Sequence, residues 1–311
     1  MASTLVLSGC SFSDAEKHLR FGWPTGVTKQ AERMRVLWSW SGVAALALGV
    51  VVWGLIFWAC IRYRKRKGDD TLPRQTKYNL WIEVVCVTVP FLVILVLFWR
   101  TAVVENYVNK LSKNPDVLIQ VDAFKWNWQF EYHDVHGKQT VYNGATDATT
   151  GEQNSPLYLS TIGSDTEIPV LVIPNNESIQ IIEHSDDVIH SFWVPEFLFK
   201  RDVIPYGTEA QQKASGLTDN RFQFTPTSDG SYVGRCAELC GTYHSQMNFE
   251  VRVVSPQVFT NYLTALQKIG PNDPARQSKA LIAAHVPGGA YATTTHPFNT
   301  SRTNNGSSSG S

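Results

Sequence analysis

The sequence predicts a hairpin of two membrane-spanning helices followed by an all-β domain outside the membrane, and three observations carry that reading. First, Val36 to Ile61 is 26 residues without a charged side chain, and Tyr78 to Trp99 is 22 residues interrupted only by Glu83. About 20 apolar residues are enough to cross a bilayer. Second, the two runs are joined by Arg62-Tyr63-Arg64-Lys65-Arg66-Lys67, with Arg74 and Lys77 beyond. Third, from Val117 onward the chain breaks into short alternating runs separated by turns, the pattern of an antiparallel sandwich or barrel. A length of 311 residues with 43% hydrophobic content accommodates both parts.

Residues 1–34 form an external lead-in of mixed charge containing Gly22-Trp23-Pro24. Within it Cys10 follows Leu7-Ser8-Gly9. This resembles the lipobox of bacterial lipoproteins, in which the cysteine is acylated, and an acyl chain would supplement the apolar spans as an anchor. Residues 35–100 are the hairpin. Neither span has a polar face, which argues against two buried helices of a soluble protein. The positive-inside rule puts the basic loop in the cytoplasm, so both termini and the β domain face the exterior of the cell membrane. Trp38, Trp40, Trp58, Trp81 and Trp99 lie near the span ends, where aromatic belts sit. Glu83 is an ionisable group inside a span and hence a functional candidate, although a carboxylate near the cytoplasmic face can also reach the headgroups.

Residues 101–255 hold the β domain. Strands are expected at 117–122, 124–132, 168–173, 178–184, 188–194, 222–224, 231–235 and 248–254. In Phe124-Lys125-Trp126-Asn127-Trp128-Gln129-Phe130-Glu131-Tyr132 every even position is aromatic, which puts one aromatic face on a single strand. For Trp128, Phe130 and Tyr132 core packing is the expectation. The polar stretch 143–167, with Leu157-Tyr158-Leu159 as a small apolar patch, reads as a long inserted surface loop. Residues 256–311 begin with helical spacing through Phe259, Tyr262, Leu263 and Leu266. Past Ile269 they become Gly-, Pro-, Thr- and Asn-rich, a tail expected to be mobile or docked on partners.

Gly234-Arg235-Cys236-Ala237-Glu238-Leu239-Cys240-Gly241-Thr242-Tyr243-His244-Ser245-Gln246-Met247 places two thiols, an imidazole and a thioether within twelve residues, and His190 waits upstream in Asp187-Val188-Ile189-His190-Ser191-Phe192-Trp193. Such soft and borderline ligands select copper or zinc over magnesium or calcium. One thiolate, two imidazoles and a weak Met describe a mononuclear copper site, and a second thiolate allows two coppers to share both sulfurs. The residue types also fit a structural zinc site or a Cys236–Cys240 disulfide. Met247 argues against zinc.

Cys-x-Glu-x-Cys-x3-His-x2-Met after Asp-Val-Ile-His-Ser-Phe-Trp-Val-Pro resembles subunit II of cytochrome c oxidase, and the match runs from about residue 35 to about residue 254. The resemblance implies a cupredoxin-like Greek-key sandwich holding a binuclear CuA centre. Cys236 and Cys240 would bridge two copper ions, His190 and His244 would be terminal ligands, Met247 a weak axial ligand, and Glu238 a backbone carbonyl donor. The Glu238 carboxylate would reach a magnesium site shared with subunit I. Trp126 matches the tryptophan through which electrons enter from a c-type cytochrome, and Glu83, seven residues before Pro90, matches the entrance of a proton-uptake path. Cys86 stands where a tryptophan is common.

The implied function is to take electrons from the cytochrome and pass them to haem in subunit I, where oxygen is reduced to water with proton pumping. The haems belong to partner subunits. The lipobox, the inserted loop and Lys200-Arg201-Asp202 look actinobacterial, where the donor is a tethered dihaem cytochrome of a bc complex in a supercomplex. Residues 101–311 carry 14 Lys and Arg against 21 Asp and Glu, an acidic balance suited to a basic partner. Glu131, Asp186, Asp187, Glu196 and Asp202 are acidic candidates for the docking face, and of these only Asp187 matches a position of the family well. His184 and His133 read as ordinary strand histidines. A copper carrier and a zinc-stabilised membrane lipoprotein are the alternatives, and a quinol-oxidase subunit II would lack the copper ligands. The sequence has no phosphate-binding glycine loop, nucleophile triad or nucleic-acid motif.

Overall fold

The computed structural model describes residues 20–65, 68, 77–146, 156–205 and 220–295. Cys10, most of the basic loop and the last sixteen residues lie outside them. The chain divides into a helical unit containing Arg33–Tyr107 and a β unit made of Pro24–Glu32 and the chain from Val108 onward.

Helix α1 spans Lys29–Arg62 and α2 spans Leu80–Val108. Both outrun the uncharged stretches that announce them, because charge sets how much helix can sit in lipid and not where backbone hydrogen bonding stops. Thr28 Oγ1 accepts from Ala31 N at 2.9 Å and caps α1. Asn79 Oδ1 accepts from Ile82 N at 3.3 Å while Asn79 N donates to Glu83 Oε1 at 3.2 Å, a reciprocal cap on α2. None of the most apolar window of either helix is buried within the chain. Trp53, Leu55, Val87 and Ile94 all stand exposed, so both helices need apolar surroundings.

The β unit contains β1 (Val117–Phe124), β2 (Asn127–Val135), β3 (Lys138–Gln139), β4 (Val141–Thr146), β5 (Pro156–Ile162), β6 (Val170–Pro174), β7 (Ile179–Ser185), β8 (His190–Val194), β9 (Phe199–Val203), β10 (Arg221–Phe224), β11 (Gly230–Cys236) and β12 (Asn248–Val254). One sheet runs β10-β7-β1-β2-β5-β4 with β3 on β2, and the other β6-β12-β11-β8-β9. The expected two-sheet sandwich is present, but β1–β7 and β6–β12 pair in parallel. Alternation within a strand reports its faces and says nothing of its neighbours' direction.

Trp128, Phe130 and Tyr132 are fully buried on the inner face of β2, as expected. Ring centroids lie 5.2 Å apart for Trp128–Phe249, 5.6 Å for Phe130–Phe249 and 4.7 Å for Phe192–Phe249, and such pairs add about 0.5–1.5 kcal/mol each beyond burial. Gly234 lies beneath this cluster: a Cβ there would sit 2.1 Å from the Phe249 ring. The continuous strand expected over 124–132 is corrected. The chain turns at Lys125 and Trp126 between β1 and β2, so Trp126 leaves the aromatic face.

The inserted stretch 143–167 is not all loop. It holds the end of β4 and all of β5, which pairs with β2. The C-terminal region also differs from expectation as far as residue 295. Helix α3 (Pro256–Ile269), capped by Ser255 Oγ, is followed by α4 (Arg276–Ala283). A strap after α4 is tied by its backbone to a buried ion pair on β12. Arg252 Nε lies 2.7 Å from Glu250 Oε1, and both side chains are essentially inaccessible. Arg252 also donates to the Gly289 and Tyr291 carbonyls at 2.6 and 2.5 Å. Glu250 Oε2 accepts from Thr293 N and Thr294 N, each at 2.7 Å. Composition alone hides this, because the strap's own residues are small and polar while its partners sit forty residues earlier.

Candidate metal centre

Three adjacent strands of the five-stranded sheet deliver the site. β8 begins at His190, β11 ends at Cys236, and β12 begins one residue after Met247. β11 pairs with both neighbours, so these strand ends meet at one end of the sandwich. The loop from Cys236 to Met247 then folds over that end through the 3-10 turn His244–Gln246.

Cys236 Sγ and Cys240 Sγ lie 3.8 Å apart as free thiols, nearly twice a disulfide bond length. His190 Nδ1 is 3.8 Å from Cys236 Sγ, and His244 Nδ1 is 3.5 Å from Cys240 Sγ. Each thiol therefore has its own imidazole. Met247 Sδ is 3.7 Å from Cys240 Sγ, and the Glu238 carbonyl is 3.3 Å from Cys236 Sγ. His190, Cys236 and Cys240 bring one ligand atom each within 4.8 Å of one another, all buried. Met247 is buried too. A buried thioether beside two thiols suits copper, whereas zinc takes thiolate, imidazole and carboxylate. The residues present fit a CuA-like centre.

The hydrogen bond between the two sulfurs pulls Cys236 down to about 4, against burial and with help from His190. The same bond, with burial, pushes Cys240 up. A metal bound between the two sulfurs would displace the protons they carry. Burial alone would depress His190, but its contacts with Cys236 and Asp187 outweigh burial and raise it. Asp187 Oδ1 lies 2.8 Å from His190 Nε2, and Asp187 Oδ2 accepts from Lys125 N at 2.8 Å. These bonds outweigh burial and keep the carboxyl low. A carboxylate on the far nitrogen fixes the ring so that Nδ1 faces the sulfurs.

Residues 117–254 match the family described as cytochrome c oxidase subunit II, periplasmic domain. Over almost its whole length the chain is 44% identical to a probable cytochrome c oxidase subunit 2 of Nocardia farcinica, covering 97% of this chain and 86% of that one. This chain belongs to the cytochrome c oxidase subunit II family. It is 43% identical to cytochrome c oxidase subunit 2 of Mycobacterium bovis, covering 97% of this chain and 87% of the relative. Among solved structures, the periplasmic domain of subunit II of cytochrome oxidase of Bradyrhizobium japonicum matches at 24% identity and a TM-score of 0.35, covering 51% of this chain and 99% of that one. As a subunit II with two apolar helices, the chain is a membrane protein and part of a cytochrome c oxidase complex, and it carries a CuA-like site of His190, Cys236, Cys240 and Met247.

Trp126 is half-buried against this site. Its indole N–H donates to the Cys240 carbonyl at 3.1 Å, and Tyr243 meets it edge-on at 4.9 Å. Gly241, at φ 116°, leaves room for the ring: a Cβ would sit 3.2 Å from it. Of the acidic candidates, Asp186 is open to solvent and lies 3.2 Å from His184, which also approaches Asp122. The bond to Asp122, with Asp186 behind it, outweighs burial and raises His184. Glu131 lies on the outer face of β2, only 14% exposed and 3.3 Å from His133. Asp202 lies near Lys200 on β9, and the Glu196 carbonyl accepts from Val27 N. Sequence reasoning misses two features. The Asp-x-x-His spacing of Asp187 and His190 carries the orienting bond, where the sequence suggests only a docking position for the aspartate. Trp128, expected as core, also donates its indole N–H to the Met247 carbonyl at 3.3 Å.

Proposed function

We propose that this chain is the electron-accepting subunit of its oxidase, taking electrons one at a time from a c-type cytochrome and passing them toward haem in subunit I, where oxygen is reduced. The observation that carries the reading is the buried pairing of two free thiols with one imidazole each, with the Trp126 indole bonded to the Cys240 carbonyl. Two copper ions bound there would supply a one-electron relay that reorganises little. His190 and His244 would be the terminal ligands, Cys236 and Cys240 the shared ones, and Met247 and the Glu238 carbonyl the weak ones. Trp126 presents an aromatic surface one hydrogen bond from a ligand residue, which shortens the path from a docked donor. Burial of His190, Cys236, Cys240 and Met247 speaks against a carrier that must release its metal.

Several finer assignments extend this reading. The Glu238 carboxylate would contribute to a magnesium site shared with subunit I. Glu83, beyond its capping bond, would stand at a proton-uptake entrance on the cytoplasmic side. Asp186 and Asp187 would face the donor, which in the actinobacterial arrangement is a dihaem cytochrome tethered to a bc complex. The basic loop supports an outward β domain, and Cys10 would be acylated.

The test is stopped-flow reduction of the assembled oxidase by its c-type cytochrome. Trp126→Phe should slow electron uptake severalfold while copper content and copper spectrum stay as in the unmodified enzyme. An unchanged rate would remove Trp126 from the route.

A further inference from the structure

We propose that Trp128 is a positioning residue for the copper centre: its indole N–H, bonded to the Met247 carbonyl, and its ring, edge-on to His190, fix the thioether and an imidazole from the core side. The inference rests on the copper reading above.

The Met247 carbonyl accepts two N–H groups, Cys236 N at 3.0 Å and Trp128 Nε1 at 3.3 Å. The first is a bond between the ends of neighbouring strands. The second crosses the sandwich, because Trp128 stands on β2 in the opposite sheet. That carbonyl thus ties a bridging cysteine, the thioether residue and the aromatic core to one point.

Besides those two bonds at its carbonyl, the Met247 backbone is held by its own N–H, which donates to the His244 carbonyl at 3.2 Å. It closes the turn His244–Gln246 with φ −78° and ψ 68° and precedes β12 instead of sitting within its ladder. The Trp128 ring also meets His190, with centroids 6.2 Å apart and planes at 60°. The opposite nitrogen of that imidazole is held by Asp187, so the ring is braced on two sides. Phe249 supports the indole from 5.2 Å, and no part of Trp128 reaches solvent. Trp126, two residues earlier, lies against the same loop at the Cys240 carbonyl and Tyr243, whereas Trp128 also meets a ligand ring.

A weak thioether is the ligand whose distance tunes the potential of a soft copper site. If Trp128 lets go, the thioether drifts outward, and reduced donation costs the oxidised state more than the reduced one. The potential would then rise, and the two coppers would become unequal because a single thioether can serve only one of them.

The experiment uses the full chain in detergent, loaded with copper. Trp128→Phe should keep two coppers per chain, shift the midpoint potential to more positive values, and turn an even seven-line EPR pattern into one with unequal couplings. Two coppers with an unchanged potential and pattern would overturn the proposal. Phe249→Leu removes the support and keeps every donor and ligand, so it decides the matter if Trp128→Phe fails to fold. It should shift the potential in the same direction, and no shift overturns the proposal. Tyr132→Phe disturbs the same core face, where Tyr132 donates to the Val172 carbonyl, without touching the site. It should leave the potential unmoved, and an equal shift there would also overturn the proposal. A single copper in the unmodified chain would bring down the underlying copper reading, an outcome separate from an unresponsive two-copper Trp128→Phe.

Discussion

Glu183 is a glutamate on the inner face of β7 with neither carboxyl oxygen hydrogen-bonded among the described residues. Burial is the main cause that pushes it well above the usual carboxylate range, against a partial pull from Arg201. Because its folded value exceeds its unfolded one, its stabilising contribution is full below the unfolded value of about 4.3 and is lost as pH rises toward the folded value. Glu183→Gln, a neutral isostere, should therefore raise the thermal midpoint at pH 7 to 8, with the gain fading by about pH 4. A gain independent of pH would contradict this. The ligand residues are legible in the sequence because thiols, imidazoles and a thioether at close spacing have few uses besides holding a metal. The Asp187 bond, the Trp128 bond and the isolation of Glu183 are not, since each depends on which strands lie side by side.

Strand β12 links the metal end of the sheet to the C-terminal strap, and its Glu250–Arg252 pair is a buried ionic contact. Removing one charge from such a pair leaves the other uncompensated, at a cost of about 3–5 kcal/mol. Burial opposes ionisation of Glu250, but bonds from Thr294 first, then Arg252 and Thr293, prevail and hold it low. A depressed carboxyl stabilises above its unfolded value, and that contribution disappears as pH falls through the folded value. Glu250→Gln should accordingly free the Thr293 and Thr294 amides, which donate to Glu250, to exchange at neutral pH, and acid should do the same to the unmodified chain. Protection that survives in the variant would show that the strap is held by other contacts. Alternation and turns locate β1, β6 to β8 and β10 to β12 to within two residues. They miss β3, β4, β5 and β9, which are short or lie in polar sequence, and they run β2 through the turn that sets Trp126 apart. The strap is invisible to them because its anchors belong to another element.

At the scale of the whole molecule, two parts answer to different solvents. Helices with no buried apolar window require lipid, and the acidic β unit requires water. Composition exposes this division directly, since an uncharged run of bilayer length rarely serves any purpose but spanning, and a basic loop between two such runs orients them. The chemistry of the β unit is carried by one end of the sandwich, where a CuA-like site is assembled from strands that lie apart in sequence. Electron entry at this end requires that the site hold two coppers. Metal content per chain, measured with the EPR spectrum of the oxidised, copper-loaded full chain, tests that requirement most directly. Two coppers and a seven-line hyperfine pattern, from one unpaired electron shared equally by two copper nuclei, are predicted. One copper with four lines, or one zinc and no signal, would contradict it.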